Sequence, residues 1–175
     1  MEFTEFPKMA RLSRECVVTE KIDGTNAQIF IGENGEFLTG SRTRWITPED
    51  DNYGFSKWAH ENKEELLKLG IGRHFGEWWG QGVQRKYGMS RKVFSLFNIS
   101  RWELEHPLCC EVVPVLWRGD FSDLNANELM ATLKASGSIA SKGFMNPEGI
   151  VIFHMAGNVG FKKTFEKDNT GKWDK

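Results

Sequence analysis

The sequence has almost no net charge, few cysteines and tyrosines, and no long apolar run. Lys and Arg number 23 against 24 Asp and Glu, a formal net of −1, so no global basic field marks a nucleic-acid-binding protein. Any such surface must be local. The 3 cysteines, Cys16, Cys109 and Cys110, are odd in number and two are adjacent, which argues against a disulfide scaffold and reads as reduced thiols of an intracellular protein. Neither CxxC nor HExxH occurs, and His60, His74, His106 and His154 are scattered. A zinc site is therefore not expected, and any metal should be a hard, oxygen-bound ion. Apolar runs such as Ile150 to Phe153 fall far short of the ~20 residues that span a bilayer. The N-terminus carries Glu2, Glu5, Lys8, Arg11 and Arg14 without an apolar signal region. These absences point to a cytoplasmic chain with no membrane attachment. No repeat, low-complexity tract or linker divides the 175 residues. One domain is expected, burying roughly 70% of its unfolded surface.

What is present is aromatic: 13 Phe and 7 Trp against 2 Tyr, many beside Gly or a basic residue. Strand signals dominate the first and last thirds. Cys16 to Thr19 runs into a turn at Asp23-Gly24, and Ala27 to Ile31 then alternates with period two. The turn Glu33-Asn34-Gly35 and a run through Phe37 to Thr39 complete a hairpin. Gly149 to Met155 and Val159 to Phe165 read as two more strands about Gly157-Asn158. The segment Cys109 to Trp117 reads as a strand interrupted by Pro114, which implies an edge or a bulge. Phe55, Trp58, Ala59, Leu66 and Leu69 repeat at helical spacing, with Gly70 placed as a C-cap. A second helix starts at Asn125, with Glu128 three residues on, Leu124 and Leu129 placed as a staple, and a stop near Gly137. Strands outnumber helices without alternating crossovers, so the fold class is α+β with largely antiparallel sheets. One stretch is locally basic. From Gln84 to Arg101 stand Arg85, Lys86, Arg91, Lys92 and Arg101, with no acid and with Tyr87, Phe94 and Phe97 between them.

The segment Lys21-Ile22-Asp23-Gly24-Thr25-Asn26 sets a lysine at the end of an apolar strand, directly before a glycine turn. Four further elements follow: Ser41-Arg42, Phe75-Gly76-Glu77-Trp78, Phe94 to Ile99, and Glu148-Gly149-Ile150-Val151 with Phe161-Lys162-Lys163. In this order and at these distances the set resembles the covalent nucleotidyltransferases, and among them the ATP-dependent RNA ligases. The closest likeness is to the branch that seals nicks in duplex RNA and includes the RNA-editing ligases. Asn26 and the run Gly80 to Gly88 are similar to that branch rather than to DNA ligases or capping guanylyltransferases. The likeness covers roughly Pro7 to Lys163.

The resemblance implies a nucleotidyltransferase core with ATP, and Mg²⁺ or Mn²⁺, as its cofactors, and with RNA ends as its partners. Lys21 would take AMP from ATP as a phosphoramidate, pass it to an RNA 5′-phosphate, and leave a 3′-hydroxyl to displace it. The neutral amine is needed, and burial, a cation or a metal favours it, so Glu20 and Asp23 are expected to face away. The implied nucleotide set is Glu20 near the adenine, Ile22, Asn26, Arg42, Glu77 on the ribose, Phe97 stacked on the base, Glu148 as metal ligand, and Lys162 and Lys163. Arg42 is also expected on the RNA 5′-phosphate, with Arg85, Lys86, Lys92 and the exposed tryptophans as further RNA contacts. The family pattern has Lys-x-Lys at the last element. Here Lys162 shares a face with Thr164 and Lys163 points the other way, leaving Lys163, Lys167 or Lys172 to replace the second lysine. Only 12 residues follow Lys163, so the expected chain is a monomeric catalytic core without a C-terminal companion domain, with a separate partner as a possible source of RNA grip. The alternatives at this point are a GTP-using capping enzyme or DNA ligase core, and a non-catalytic RNA-binding module.

Overall fold

Five consecutive buried residues, Cys16 to Glu20, run through β1 (Glu15–Lys21). That pattern belongs to a strand covered on both faces. In the computed structural model, which describes residues 1–166 and 168, β1 lies between β8 (Val115–Asp120) and β9 (Gly149–His154), with β10 (Val159–Thr164) beyond β9. All three pairings are antiparallel. A second sheet has the order β4 (Trp45–Ile46), β3 (Phe37–Gly40), β2 (Thr25–Ile31), β5 (Gly72–Gly80), β6 (Lys92–Leu96), β7 (Cys110–Val112). Its pairs are antiparallel except β6 with β7. The α+β expectation with largely antiparallel sheets holds.

Pro114 does something different from the expected interruption of one strand. The chain leaves the six-stranded sheet after β7 and enters the four-stranded sheet at β8, so the two halves of Cys109 to Trp117 are edge strands of different sheets. Pro114, which lacks an N–H for a ladder, stands at the crossing and gives its carbonyl to the Glu20 N–H. The β1–β8 register slips between Val18 and Thr19 beside it. A second crossing occurs at Ile22 to Gly24, where β1 of one sheet passes into β2 of the other.

Three apolar clusters result. Phe55, Ala59, Leu66 and Leu69 cover one face of the larger sheet with Trp58, Trp78 and Phe94. Within this cluster the rings of Trp58 and Trp78 lie 4.9 Å apart and those of Phe55 and Phe94 5.0 Å apart, each pair adding about 0.5–1.5 kcal/mol beyond burial. The expected helix is split into α1 (Phe55–Glu61) and α2 (Lys63–Leu66) at Asn62, whose side-chain amide donates to the Trp58 carbonyl. A short α3 (Ile99–Trp102) follows β6. The cap at Asn125 forms as expected: its Oδ1 accepts from the Glu128 N–H and opens α4 (Ala126–Ser136). That helix packs Met130 and Leu133 on the smaller sheet. Ile22, Trp79, Tyr87, Val93 and Val113 form the third cluster, where the two crossings meet. Among the described residues no helix is long and apolar enough to cross a membrane.

Candidate active site

Between the two sheets lies a cleft of about 760 Å³, lined among others by Lys21, Asn26, Arg42, Glu77, Phe97 and Lys162. Lys21 enters it from the end of β1. The register pairs Lys21 with Gly149, which sets Glu148 beside the amine, with Nζ to Oε2 at 2.6 Å. Gly149 has φ 155°, and a Cβ there would collide with the Lys163 carbonyl, so only glycine holds β9 this close to β10.

Glu20 and Asp23 do face away from the amine. The Glu20 carboxylate is buried and accepts from Ser138 Oγ at 2.6 Å and from the Ile139 and Ala140 N–H groups at 2.8 and 2.9 Å. It anchors the loop after α4, and Glu20 also borders the cleft. Asp23 holds the turn: its N–H donates to Tyr87 Oη at 2.9 Å and its carboxylate pairs with Arg85 at 2.9 Å. A Cβ on Gly24 would fall 2.5 Å from the Trp78 carbonyl, so the turn lies flat against β5. The Ile22 side chain is buried in the third cluster, leaving its backbone to border the cleft.

Glu77 faces this turn from β5. Its Oε1 accepts from the Gly24 N–H and its Oε2 from Asn26 Nδ2, both at 3.0 Å. Burial pushes its pKa up to about 7 against the pull of Lys21 and the Gly24 N–H. Phe97, following β6, is 41% exposed in the cleft and is not a core residue. Arg42 follows β3 and is exposed, with no ion pair among the described residues, while its neighbour Arg44 is bound to Asp50. Lys162 borders the cleft and Lys163 pairs with Asp168 at 2.8 Å, the division of faces expected from the strand period. Lys167 and Lys172 lie outside the described residues.

The basic stretch is largely occupied within the fold. Arg85 bonds Asp23, the Asn146 carbonyl and Glu166, Arg91 pairs with Glu111, Lys92 donates to the Tyr53 carbonyl, and Arg101 donates to the Leu69 carbonyl. Lys86 alone of Arg85, Lys86 and Lys92 is exposed without such a bond among the described residues. Arg85 is thus engaged in ion pairs within the fold, while Lys92 gives one N–H to a neutral carbonyl and meets no carboxylate among the described residues. Trp78, Trp79 and Tyr87 are 2%, 2% and 1% exposed and belong to the core. Sequence reasoning missed the reason: Gln84, Lys86 and Tyr87 adopt left-handed backbone conformations, and this turns Tyr87 inward onto Asp23. Such strain persists only where the surroundings over-determine it, and the burial of Val83 and Tyr87 supplies that.

For a divalent cation the protein donors are few. Glu148 is partly exposed beside Lys21, and no group of three or more His, Cys, Asp or Glu side chains converges among the described residues. That set does not fit an all-protein cage. It does fit Mg²⁺ or Mn²⁺, which make do with one or two carboxylates when phosphate and water complete the shell.

Three solved structures of Naegleria gruberi RNA ligase share the architecture. A variant with ATP and manganese aligns at TM-score 0.67 and 21% identity over 89% of this chain and 51% of that one. A variant with AMP and manganese aligns at 0.67 and 19%, over 90% and 53%, and the enzyme with pyrophosphate at 0.66 and 21%, over 87% and 50%. The chain thus spans about half the length of these ligases. No curated protein matches. The RNA ligase family model covers residues 14–173, which take in both sheets and the cleft between them, and the chain belongs to the RNA ligase family.

Proposed function

We propose that this chain is the catalytic core of an ATP-dependent RNA ligase that works through a lysyl-AMP intermediate. The observation that carries the reading is the amine at the end of β1: Lys21 Nζ enters the cleft and is held at 2.6 Å by Glu148, with Arg42, Lys162 and the Phe97 ring bordering the same space. The membership in the RNA ligase family, and the ATP, AMP and pyrophosphate in the similar Naegleria enzyme, support it.

In the first step the Lys21 amine attacks the α-phosphorus of ATP. A P–N bond forms, the bond to pyrophosphate breaks, and the amine gives up a proton. Lys21 is paired with Glu148 as an ammonium, so the pair must open before attack. Arg42 and Lys162 bring the positive charge that phosphate oxygens require, and the ring of Phe97 offers a stacking surface of about 1–3 kcal/mol to the adenine. Glu77, already oriented by Gly24 and Asn26, has lone pairs left for the ribose hydroxyls. Glu148 would hold the divalent cation, whose contribution is to neutralise phosphate charge.

In the second step an oxygen of an RNA 5′-phosphate attacks the same phosphorus, the P–N bond breaks, and the lysine takes back a proton. In the third, a 3′-hydroxyl attacks the activated 5′-phosphate, the phosphodiester forms and AMP leaves. Positioning and charge neutralisation are the main catalytic devices of such transfers.

The test is incubation with Mg²⁺ and α-labelled ATP or GTP. Label that stays with the denatured chain from ATP, and disappears in Lys21→Ala, is expected. Label from GTP alone would assign the core to a capping chemistry, and no label with RNA binding retained would leave a non-catalytic module.

A further inference from the structure

Along β5 the residues His74, Gly76 and Trp78 are buried, while Arg73, Phe75 and Glu77 take the opposite face by the strand period. Pairing with β2 sets Gln28 beside Phe75 and Phe30 beside Arg73. Beyond Glu77 this face of the sheet opens to solvent: Phe75 is 51% exposed and Trp45, arriving from β4, is 43% exposed. It is nevertheless continuous with the cleft, whose lining includes Arg42, Arg73 and Phe75.

Arg73 is held in place without a counter-charge. Its guanidinium carbon lies 5.3 Å from the Phe30 ring centroid and 5.1 Å from that of Trp45, and one N–H donates to Gln28 Oε1 at 3.0 Å. No carboxylate pairs with it among the described residues. A guanidinium fixed by two rings and an amide keeps further N–H donors in a rigid fork, the arrangement that suits phosphate oxygens. Phe75 stands two residues along the same strand face and offers a flat apolar surface at the mouth of the cleft.

We propose that Arg73 and Phe75 form a subsite for the RNA strand where this sheet face continues from the adenylate pocket, Arg73 on a backbone phosphate and Phe75 under an unpaired base. The inference rests on the RNA ligase reading and adds to it where the nucleic acid is gripped. Phosphates alternating with bases are the chemistry that a fixed cation beside an exposed ring recognises, and stacking of this kind tolerates any base. In the basic loop at residues 84–92, Arg85 and Arg91 are paired with carboxylates within the fold, and only Lys86 and Lys92 are without an ion pair among the described residues.

The test uses Arg73→Ala and Phe75→Ala, both at exposed positions, in two separate measurements. One is labelling of Lys21 from α-labelled ATP without RNA. The other is binding of a 5′-phosphorylated single-stranded RNA by fluorescence anisotropy across a salt series. Arg73→Ala is expected to label at the wild-type rate, and both variants are expected to bind RNA about tenfold more weakly. Arg73→Ala should also flatten the slope of log affinity against log salt by about 0.7, and Phe75→Ala should not. Wild-type affinity and slope in both variants would overturn the subsite. So would a wild-type dimer that Phe75→Ala dissolves with RNA binding intact, which would assign the surface to self-association. Failure of the ligase reading looks different: the wild-type chain itself takes no label, and the RNA comparison then judges the subsite alone.

Discussion

Lys21 and Glu148, 127 residues apart in sequence, share an ion pair of 2.6 Å inside the cleft. The pair is partly exposed, so its contribution to stability is about 1 kcal/mol or less, while its position beside the proposed nucleophile gives it a functional weight. Glu148→Gln should therefore leave the unfolding midpoint within experimental scatter of wild type and reduce adenylylation at least a hundredfold. Wild-type labelling in that variant would remove Glu148 from the metal and activation role.

Glu77 ties stability to pH. Its folded pKa stands near 7 because of burial, above the ordinary carboxylate value of about 4.3. The protonated form is favoured in the folded chain, so the contribution is complete below about pH 4 and is lost as pH rises through 7. Relative to Glu77→Gln, which stays neutral, the wild-type chain should lose up to about 3 kcal/mol between pH 4.5 and 7.5, on 1.36 kcal/mol per pKa unit. Urea unfolding of both proteins across that range measures it, and parallel curves would count against a neutral buried Glu77.

Tyr87→Phe deletes the oxygen that accepts the Asp23 N–H and leaves that donor unsatisfied. A loss of about 1–3 kcal/mol is expected, together with slower adenylylation, because the turn after Lys21 loses its tether. An unchanged labelling rate in a folded Tyr87→Phe protein would show that the turn is fixed by other contacts.

Arg85→Ala separates two roles. The side chain joins the turn at Asp23, the loop before β9 through Asn146, and the turn after β10 through Glu166. Thermal unfolding should shift down, while the salt dependence of RNA binding stays at the wild-type slope. A slope reduced by about 0.7 would instead place Arg85 on RNA phosphate.

Gly149→Ala introduces a Cβ against the Lys163 carbonyl, with Thr164 Cα at 2.8 Å. The strain should cost at least about 2 kcal/mol in denaturant unfolding. A midpoint equal to wild type would mean that β10 can shift away at little expense.

What was legible in the sequence is what local chemistry decides. The hairpin about Asn34-Gly35, the Asn125 cap and the turn after Lys21 are each written in a few neighbouring residues, and each formed. So did the division between Lys162 and Lys163, which follows from the strand period alone. The helix expected across residues 55–69 broke at Asn62, whose side-chain amide joins its own backbone N–H on the Trp58 carbonyl, a choice that side-chain spacing does not reveal. The basic stretch misled because its partners, Asp23, Tyr53, Leu69 and Glu111, come from other elements. Arg73 went unnoticed, and Phe75 was read only within its Phe-Gly-Glu-Trp element, for the reverse reason: in a strand whose other face holds His74 and Trp78, neither charge nor apolar character tells which side is open.

The order of strands in the smaller sheet sets a timetable for synthesis. Lys21 is made early, yet β1 sits between β8 and β9, and the last of these ends at His154. A ribosome-bound chain lacking residues 149–154 holds the nucleophile but neither the strand beside it nor Glu148 in place. The proposed reactivity of Lys21 toward ATP therefore waits on the emergence of β9, and the long-range pairing it awaits is the kind of contact that forms slowly. Nascent chains of graded length, challenged with labelled nucleotide, would record that gate as a step rather than a gradual rise.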